Sequence, residues 1–255
     1  MSKMLRTRFK KQIVCQFLPP QRRHSRDKVI ILAKGMPGAP KNPETMEFWS
    51  KKGFWVFLPS YRGTWESDGR FLARSPHEDI MDIIDELSAK KSVTDLWSGQ
   101  SHKLSVVGSG FFIIGGSFGG GSAILASHHK KVAGGIAISP VIDWTKDSTD
   151  EPLDKLGKFL RQGFGNAYRF SSAHWKKLSQ GKIYNPIKEM DSIEGEKILI
   201  LHAKDDRVVP YAPSRIFAEK TGAKLITFPR GGHFGISEST DLKFYKHIKK
   251  FMRSR

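Results

Sequence analysis

Ser117 stands in a setting that suits a nucleophile. The segment 113–121 reads Ile-Ile-Gly-Gly-Ser-Phe-Gly-Gly-Gly and contains the pattern Gly-x-Ser-x-Gly. An apolar run precedes the serine, and a helix-forming run, 123–126, follows it. This is the order of a strand, a sharp turn and a helix, in which the turn exposes the hydroxyl and the glycines let strand and helix approach each other. A turn with a purely structural role is the alternative interpretation.

A serine nucleophile needs a general base and an acid that orients the base. His233 is the candidate base, because it stands between glycines in Gly231–Gly235, directly after an apolar run. Asp205 and Asp206 follow another apolar run, and Asp143 is a third candidate for the acid. The order serine, aspartate, histidine along the chain is the order that accompanies this type of strand–turn–helix nucleophile.

Short apolar runs alternate with helical patterns, which predicts an α/β fold with a mainly parallel central sheet flanked by helices. Because the runs are continuously apolar, we expect strands that are buried on both faces. The carboxyl ends of parallel strands lie at one edge of a sheet, so the loops with the candidate nucleophile, acid and base should meet there. The predicted strands cover residues 12–18, 29–33, 54–58, 111–114, 135–138, 198–201 and 225–228.

Local signals also mark the ends of several helices. Asn42-Pro43 is expected to open a helix that Gly53 ends, and Ser75 with Glu78 forms the pattern of a capping box. In the last helix, the apolar side chains are expected to face inward and the lysines to face solvent. The inward set is Leu242, Tyr245, Ile248 and Met252.

Residues 144–193 separate two strands that a single helix would connect. The segment is too rich in aromatic side chains for a linker, so we predict a helical cap inserted into one α/β domain of residues 1–255. Some of its aromatics, together with a tryptophan outside it, are expected to line the substrate pocket. The alternative is that they only attach the cap to the domain. The pocket candidates are Trp65, Phe159, Phe164, Tyr168 and Trp175.

The composition of the 255-residue chain excludes several classes of protein. Its single cysteine, Cys15, excludes an intrachain disulfide framework and a thiolate zinc cluster, and no metal site is expected. The net charge is +18, and much of it lies at the two ends, with nine Lys and Arg against one Asp in residues 1–28 and six against one in residues 241–255. We interpret this charge as solvated surface and expect no specific nucleic acid partner. A weak electrostatic association with nucleic acid or anionic lipid is the alternative. No signal peptide or membrane span is evident, so a cytoplasmic location is expected.

The three motifs, in this order, resemble those of the α/β-hydrolases, nearest the dienelactone-hydrolase and prolyl-oligopeptidase-type branch, over residues 12–255. In that family the acid lies in a His-Gly-x-x-Asp-x-x-Val-Pro loop. The resemblance aligns this loop with His202–Pro210, where Ala203 replaces the glycine, and selects Asp206 as the acid.

The same resemblance implies where the oxyanion would bind. The family's loop usually reads His-Gly-x-Pro-Gly, and here it is Lys34-Gly35-Met36-Pro37-Gly38, with lysine in place of histidine. The implied donors are the backbone N–H groups of Met36 and Phe118, the residue after the nucleophile.

The resemblance implies a serine hydrolase that cleaves carboxylic esters of small molecules through an acyl-enzyme intermediate, without a cofactor. A small peptidase or amidase acting on short peptides is the second hypothesis. A catalytically idle hydrolase fold that serves as a basic binding module is the third.

Overall fold

The computed structural model describes residues 3–22, 27–146 and 148–255. Within these ranges the chain forms ten strands and seven α-helices. The strands are β1 Leu5–Phe9, β2 Ile13–Leu18, β3 Asp27–Ala33, β4 Trp55–Pro59, β5 Ser92–Thr94, β6 Ser101–Lys103, β7 Val106–Gly116, β8 Val132–Ile138, β9 Ile198–Ala203 and β10 Lys224–Phe228. The helices are α1 Pro43–Lys51, α2 Pro76–Lys90, α3 Phe118–Leu125, α4 Leu153–Phe164, α5 Ser172–Ser179, α6 Tyr211–Thr221 and α7 Leu242–Arg253.

Eight of the strands form one sheet in the order β1-β2-β4-β3-β7-β8-β9-β10. The pairs from β4 to β10 are all parallel, whereas β2 is antiparallel to both β1 and β4. The predicted mainly parallel sheet flanked by helices is therefore confirmed. In register, Ala33 pairs with Gly115, and Ile138 pairs with both Gly116 and Leu201. The ends of β3, β7, β8 and β9 thus lie side by side at one edge.

All seven predicted strands are present, with β7 starting at Val106 instead of residue 111. Three short strands were not predicted: β1 alternates basic residues with uncharged ones, and β5 and β6 have three residues each in a separate hairpin. Such short or alternating segments lack the continuous apolar run that marks a strand buried on both faces.

The core occupies both faces of the sheet. On β3, Val29 and Ile31 pack with the buried residues of α2, whereas Ile30 and Leu32 pack with those of α1 and α7. This alternation follows from the two-residue period of a strand. Helix α3, which follows the candidate nucleophile, is buried along its whole length.

Two of the helix-start predictions hold. α1 begins at Pro43 after Asn42, and α2 begins at Pro76, where the backbone N–H of Ser75 donates to the Glu78 carboxylate at 3.0 Å. In α7 the prediction for Leu242 was wrong, because this first residue of the helix is 67% exposed. The buried stripe runs at i, i+4, i+7 and i+8 from Phe244, as expected for one helix face. It comprises Phe244, Ile248, Phe251 and Met252.

The segment 144–193 contains α4 and α5, joined by short irregular stretches. Backbone hydrogen bonds tie it to the loop after β4: Trp65 N–H donates to Ala167, and Phe71 N–H donates to Arg169. In the described ranges, the chain has no helix of the length and apolar character required to cross a bilayer.

Candidate active site

Ser117 lies in a strained turn between β7 and α3. Its φ is +54° and its ψ −121°, a backbone conformation that residues with a Cβ rarely adopt. β7 ends at Gly116 and α3 begins at Phe118, so the serine precedes the first turn of a helix. The N-terminus of a helix favours negative charge nearby. The local structure is therefore the strand–turn–helix unit that the sequence motif predicts.

Three glycines allow the close contacts around this turn. A Cβ on Gly115 would lie 2.1 Å from the Gly119 carbonyl oxygen, and one on Gly119 would lie 2.0 Å from the Ala33 carbonyl oxygen. A Cβ on Gly116 would lie 2.7 Å from the backbone nitrogen of Ile236. Larger residues are excluded at these positions, because the neighbouring main chain occupies the space. The loops after β3 and β10 can thus approach the serine directly.

The structure brings His233 and Asp206 together. His233 Nδ1 lies 2.8 Å from Asp206 Oδ2, and the other carboxylate oxygen accepts hydrogen bonds from the backbone N–H groups of Val208 and Val209 at 2.9 and 2.8 Å. Since Oδ2 can only accept, His233 Nδ1 carries the proton, which leaves Nε2 free to accept one. Burial alone would raise the pKa of Asp206. The hydrogen bonds from His202, His233 and Val209 outweigh burial, so this pKa is well below its usual range.

A second histidine supports the same carboxylate. His202 is fully buried, and its Nε2 lies 3.2 Å from Asp206 Oδ2 and 3.1 Å from the Val209 carbonyl oxygen. Both partners are acceptors, so Nε2 carries the proton, and Nδ1 faces the hydroxyl of Ser214 at 2.9 Å. In the family's loop motif His202 is only the first residue, and nothing in the sequence predicts its contact with the carboxylate.

The other two candidate acids make different contacts. Asp205 is exposed and accepts hydrogen bonds from the backbone N–H groups of Gly231 and Gly232, at 3.2 and 2.9 Å. It therefore holds the start of the histidine loop without touching the imidazole. Asp143 accepts from the N–H and hydroxyl of Thr145, at 2.9 and 2.7 Å. Of the three aspartates, only Asp206 is hydrogen-bonded to His233.

The loop Lys34–Gly38 passes beside the serine. A Cβ on Gly35 would lie 3.5 Å from the Ser117 Cβ, and Met36, which is nearly buried, precedes a cis peptide bond to Pro37. Gly38 is held from both sides: its N–H donates to the Tyr168 hydroxyl at 2.9 Å, and its carbonyl accepts from Trp65 Nε1 at 2.8 Å.

Lys34, which replaces the family's usual histidine, is buried at the base of this loop. Its Nζ donates to the Ser60 hydroxyl at 3.1 Å. Burial lowers its pKa to about 8, against smaller opposing effects of Cys15 and Glu66. The lysine therefore places an ammonium group with a strongly perturbed pKa next to the candidate site.

Two cavities meet at Ser117. One is a narrow, mainly apolar cavity of about 40 Å³, and the other is an open groove of about 650 Å³ that His233 also lines. Met36, Ser117 and Glu151 line both. Besides Met36, four separate segments of the chain form the apolar wall of the first. It comprises Phe118, Val141, Ile142, Trp144, Leu153, Leu156, Val208, Val209, Pro210 and Pro213.

The predicted pocket aromatics lie elsewhere among the described residues, and none of the five lines either cavity. Trp65 and Tyr168 hold Gly38, as described above. Phe159 is 52% exposed, and its ring packs edge-on against that of Phe164. Trp175 donates from Nε1 to the Leu153 carbonyl oxygen. Aromatic content alone did not identify the lining, because these rings pack against each other and against the loops.

Across the described ranges, no cluster of three or more His, Cys, Asp or Glu side chains has the arrangement of a metal site. Asp206, His202 and His233 are instead hydrogen-bonded to one another, and Asp206 also to backbone amides.

The chain is similar to known serine hydrolases. The sequence profile of the prolyl oligopeptidase family matches residues 41–255, and none of the curated proteins matches the sequence significantly. Among solved structures, the α/β-hydrolase GrgF from Penicillium sp. sh18 is 15% identical, with a TM-score of 0.69 over 99% of this chain and 98% of that one. Est1E from Butyrivibrio proteoclasticus with bound ferulic acid is 18% identical, with a TM-score of 0.64 over 96% and 98% of the two chains. The acylaminoacyl peptidase of Pyrococcus horikoshii is 18% identical, with a TM-score of 0.63 over 98% of this chain but 41% of that one. These similarities confirm the predicted α/β-hydrolase fold.

Proposed function

The chain belongs to the prolyl oligopeptidase family of serine hydrolases, and we propose that it cleaves carboxylic esters. In this proposal Ser117 is the nucleophile, His233 the base and Asp206 the orienting acid. The observation that carries the proposal is the 2.8 Å hydrogen bond between His233 Nδ1 and Asp206 Oδ2. It sets the imidazole tautomer, so that Nε2 is the basic nitrogen in the groove that His233 shares with Ser117.

The reaction follows from these positions. His233 Nε2 takes the proton of the Ser117 hydroxyl as Oγ attacks the acyl carbonyl, and the backbone N–H groups of Met36 and Phe118 stabilise the oxyanion. The protonated imidazole then gives its proton to the departing alcohol, which leaves an acyl-enzyme. A water molecule, activated by the same imidazole, releases the acid. Asp206 stays ionised throughout, in keeping with its lowered pKa.

The apolar cavity beside Ser117 supports an ester with an apolar acyl or alcohol group. Its wall is mainly aliphatic, and the narrow space beside Ser117 suits a short apolar chain. The similar structure of Est1E was determined with bound ferulic acid, so a hydroxycinnamoyl ester belongs in the substrate panel beside short aliphatic esters.

The test of this proposal compares two serines on the same strand–turn unit. Ser117→Ala should fold normally and lose about 10⁴-fold or more in turnover of p-nitrophenyl esters, because the three groups act as a unit. Ser109→Ala is the matched control, since Ser109 lies on β7 but is exposed and bonded to the Lys130 carbonyl oxygen. A fluorophosphonate probe should label the wild type and the control, but not Ser117→Ala. Full esterase activity in Ser117→Ala would refute the mechanism.

A small peptidase or amidase is the second candidate, and Glu151 is the observation that favours it. Glu151 lines both the apolar cavity and the open groove, so its negative charge would attract the ammonium group of an unblocked peptide. Aminoacyl-nitroanilides and their N-acetylated forms test this role. Peptidase activity that needs the free amine and is lost in Glu151→Gln would favour the second candidate over the first.

A further inference from the structure

A chain of buried hydroxyl groups links the two segments that carry the proposed oxyanion donors. At one end, the Tyr61 hydroxyl lies 3.4 Å from the carbonyl oxygen of Lys34 and 3.2 Å from Ser122 Oγ. At the other end, the Tyr184 hydroxyl lies 2.7 Å from Ser122 Oγ and donates to the carbonyl oxygen of Phe118 at 2.5 Å. All five residues are buried.

We propose that Tyr61, Ser122 and Tyr184 are positioning residues that hold the two oxyanion-binding amides in place through this hydroxyl chain. The inference rests on the function proposed above. One end of the chain holds Lys34, two residues before the Met36 amide, and the other end holds Phe118 itself. Catalysis by such donors depends on their position, since a misplacement of about 1 Å can lower the rate about 10²-fold.

The chain of hydroxyl groups has fewer protons than hydrogen-bond contacts. Three hydroxyl groups supply three protons for four contacts, and both ends are carbonyl oxygens that can only accept. Tyr184 uses its proton on Phe118, so Ser122 must donate to Tyr184. Tyr61 then donates either to Ser122 or to the Lys34 carbonyl, which agrees with these two contacts being the longest, at 3.2 and 3.4 Å. The Phe118 end is thus held more firmly than the Lys34 end.

The two tyrosine rings also clamp the side chain of Phe118. Their ring centroids lie 5.6 Å (Tyr61) and 4.8 Å (Tyr184) from that of Phe118. Replacing either tyrosine by phenylalanine would keep this packing and remove only the hydroxyl. Burial raises the pKa of both hydroxyls, so they stay protonated at any working pH.

The chain of hydroxyl groups gives the segment 144–193 a specific part in the site. Tyr184 belongs to this segment and holds Phe118, while Tyr168 of the same segment accepts the hydrogen bond from Gly38 N–H in the other loop. The segment therefore contacts both halves of the proposed oxyanion site from behind, without lining the cavity at either residue.

The test measures transition-state stabilisation in Tyr184→Phe, Ser122→Ala and Tyr61→Phe. For Tyr184→Phe we expect kcat on p-nitrophenyl butyrate to fall about tenfold with KM within twofold, because the substrate carbonyl gains its full negative charge only in the transition state. Affinity for an aryl trifluoromethyl ketone, which forms a tetrahedral adduct on serine, should fall by the same factor. The shape of the kcat–pH profile should not change. Tyr61→Phe should show a smaller loss, about two- to threefold, since its contacts are the longest.

The control is Tyr245→Phe, a partly exposed tyrosine on α7, which should leave all of these values unchanged. The double variant Ser122→Ala/Tyr184→Phe should lose no more than the larger single loss, because the two hydroxyls belong to one chain. If Tyr184→Phe and Ser122→Ala keep kcat within twofold while their melting temperatures fall, the chain is only structural and the inference is overturned. If Tyr184→Phe does not fold, Ser122→Ala and Tyr61→Phe decide by the same criteria. Esterase activity that survives Ser117→Ala would instead overturn the proposed function.

Discussion

His202 donates from Nε2 to the same Asp206 oxygen that His233 Nδ1 contacts, at 3.2 and 2.8 Å. Asp206 thus lies between a fully buried imidazole and a partly exposed one. The exposed imidazole faces the groove with Ser117, and the buried one faces Ser214. This arrangement separates two tasks: one histidine is available for chemistry, and the other holds the carboxylate.

Removing the buried histidine should therefore affect stability more than turnover. In His202→Leu the carboxylate loses one of its four hydrogen bonds, and we expect unfolding in urea to require about 1–3 kcal/mol less free energy. His233 and the two backbone amides still hold Asp206, so kcat should fall less than tenfold. His202→Gln, whose amide can donate from a similar position, should recover part of the stability. A loss of turnover as large as that of Asp206→Asn would assign His202 to the catalytic machinery.

The adjacent aspartates should differ strongly. Asp206→Asn should lower kcat on the order of 10⁴-fold, because an amide can donate to Nδ1 and stabilise the wrong imidazole tautomer. Asp205→Asn is the matched control: its one side-chain oxygen can still accept from the Gly232 amide, and only the longer contact with the Gly231 amide is lost. Because Asp205 does not touch the imidazole, kcat should change less than threefold. Steady-state kinetics on a short p-nitrophenyl ester measures both. Reversed losses would move the acid by one residue.

The apolar cavity should set the preference for acyl length. Leu156 lines it from α4, and Leu156→Ala should extend the range of accepted acyl chains by one or two methylenes. Each extra methylene that is buried contributes about 0.8 kcal/mol, or roughly a factor of four in kcat/KM. Phe159→Ala is the control on the same helix, since Phe159 is largely exposed and lies outside the lining. A series of p-nitrophenyl esters measures the cutoff. A shift with Phe159→Ala but not with Leu156→Ala would place the pocket on the other side of α4.

Lys34 should make stability depend on pH. Its pKa is lowered by burial to about 8 in the folded state, against 10.5 for the ordinary side chain. Below pH 8 the ammonium is charged in both states and its burial destabilises the fold by about 3 kcal/mol. Between pH 8 and 10.5 the unfolded chain binds more protons, so this group makes stability rise with pH.

The corresponding variant is Lys34→Met. It should be more stable than wild type at pH 7, and the difference should shrink as the pH rises to 10. Urea denaturation at each pH measures the difference, with the exposed Lys41→Met of the same loop as control. The buried Cys15 thiol, whose pKa burial raises, acts in the opposite direction in both proteins, so the difference is the relevant quantity. A difference that stays constant from pH 7 to 10 would contradict the expectation.

Much of the fold follows from local patterns. Seven apolar runs became seven strands, since a strand buried on both faces must be apolar throughout. The short strands β1, β5 and β6 were not predicted, because they lack a continuous apolar run. The inward position predicted for Leu242 was wrong because a helix face is defined by its packing partner, and the stripe of α7 begins at Phe244.

By itself, the sequence determined the strand–turn–helix around Ser117 and the loop around His233, because glycine spacing and chain order are local properties that sterics translates directly into conformation. It also determined which strands carry them. The residues alone left Asp205, Asp206 and Asp143 as candidates for the acid; the family resemblance selected Asp206, and the tertiary structure shows that this is the aspartate hydrogen-bonded to His233. Only the tertiary structure decided that the cavity is lined mainly by aliphatic residues of several segments and not by the five predicted aromatics. The physical reason is that Asp205 and Asp206 are the same type of residue, so only the direction of each side chain in the fold tells which one meets His233. A cavity, likewise, is the space left between segments that can lie far apart along the chain.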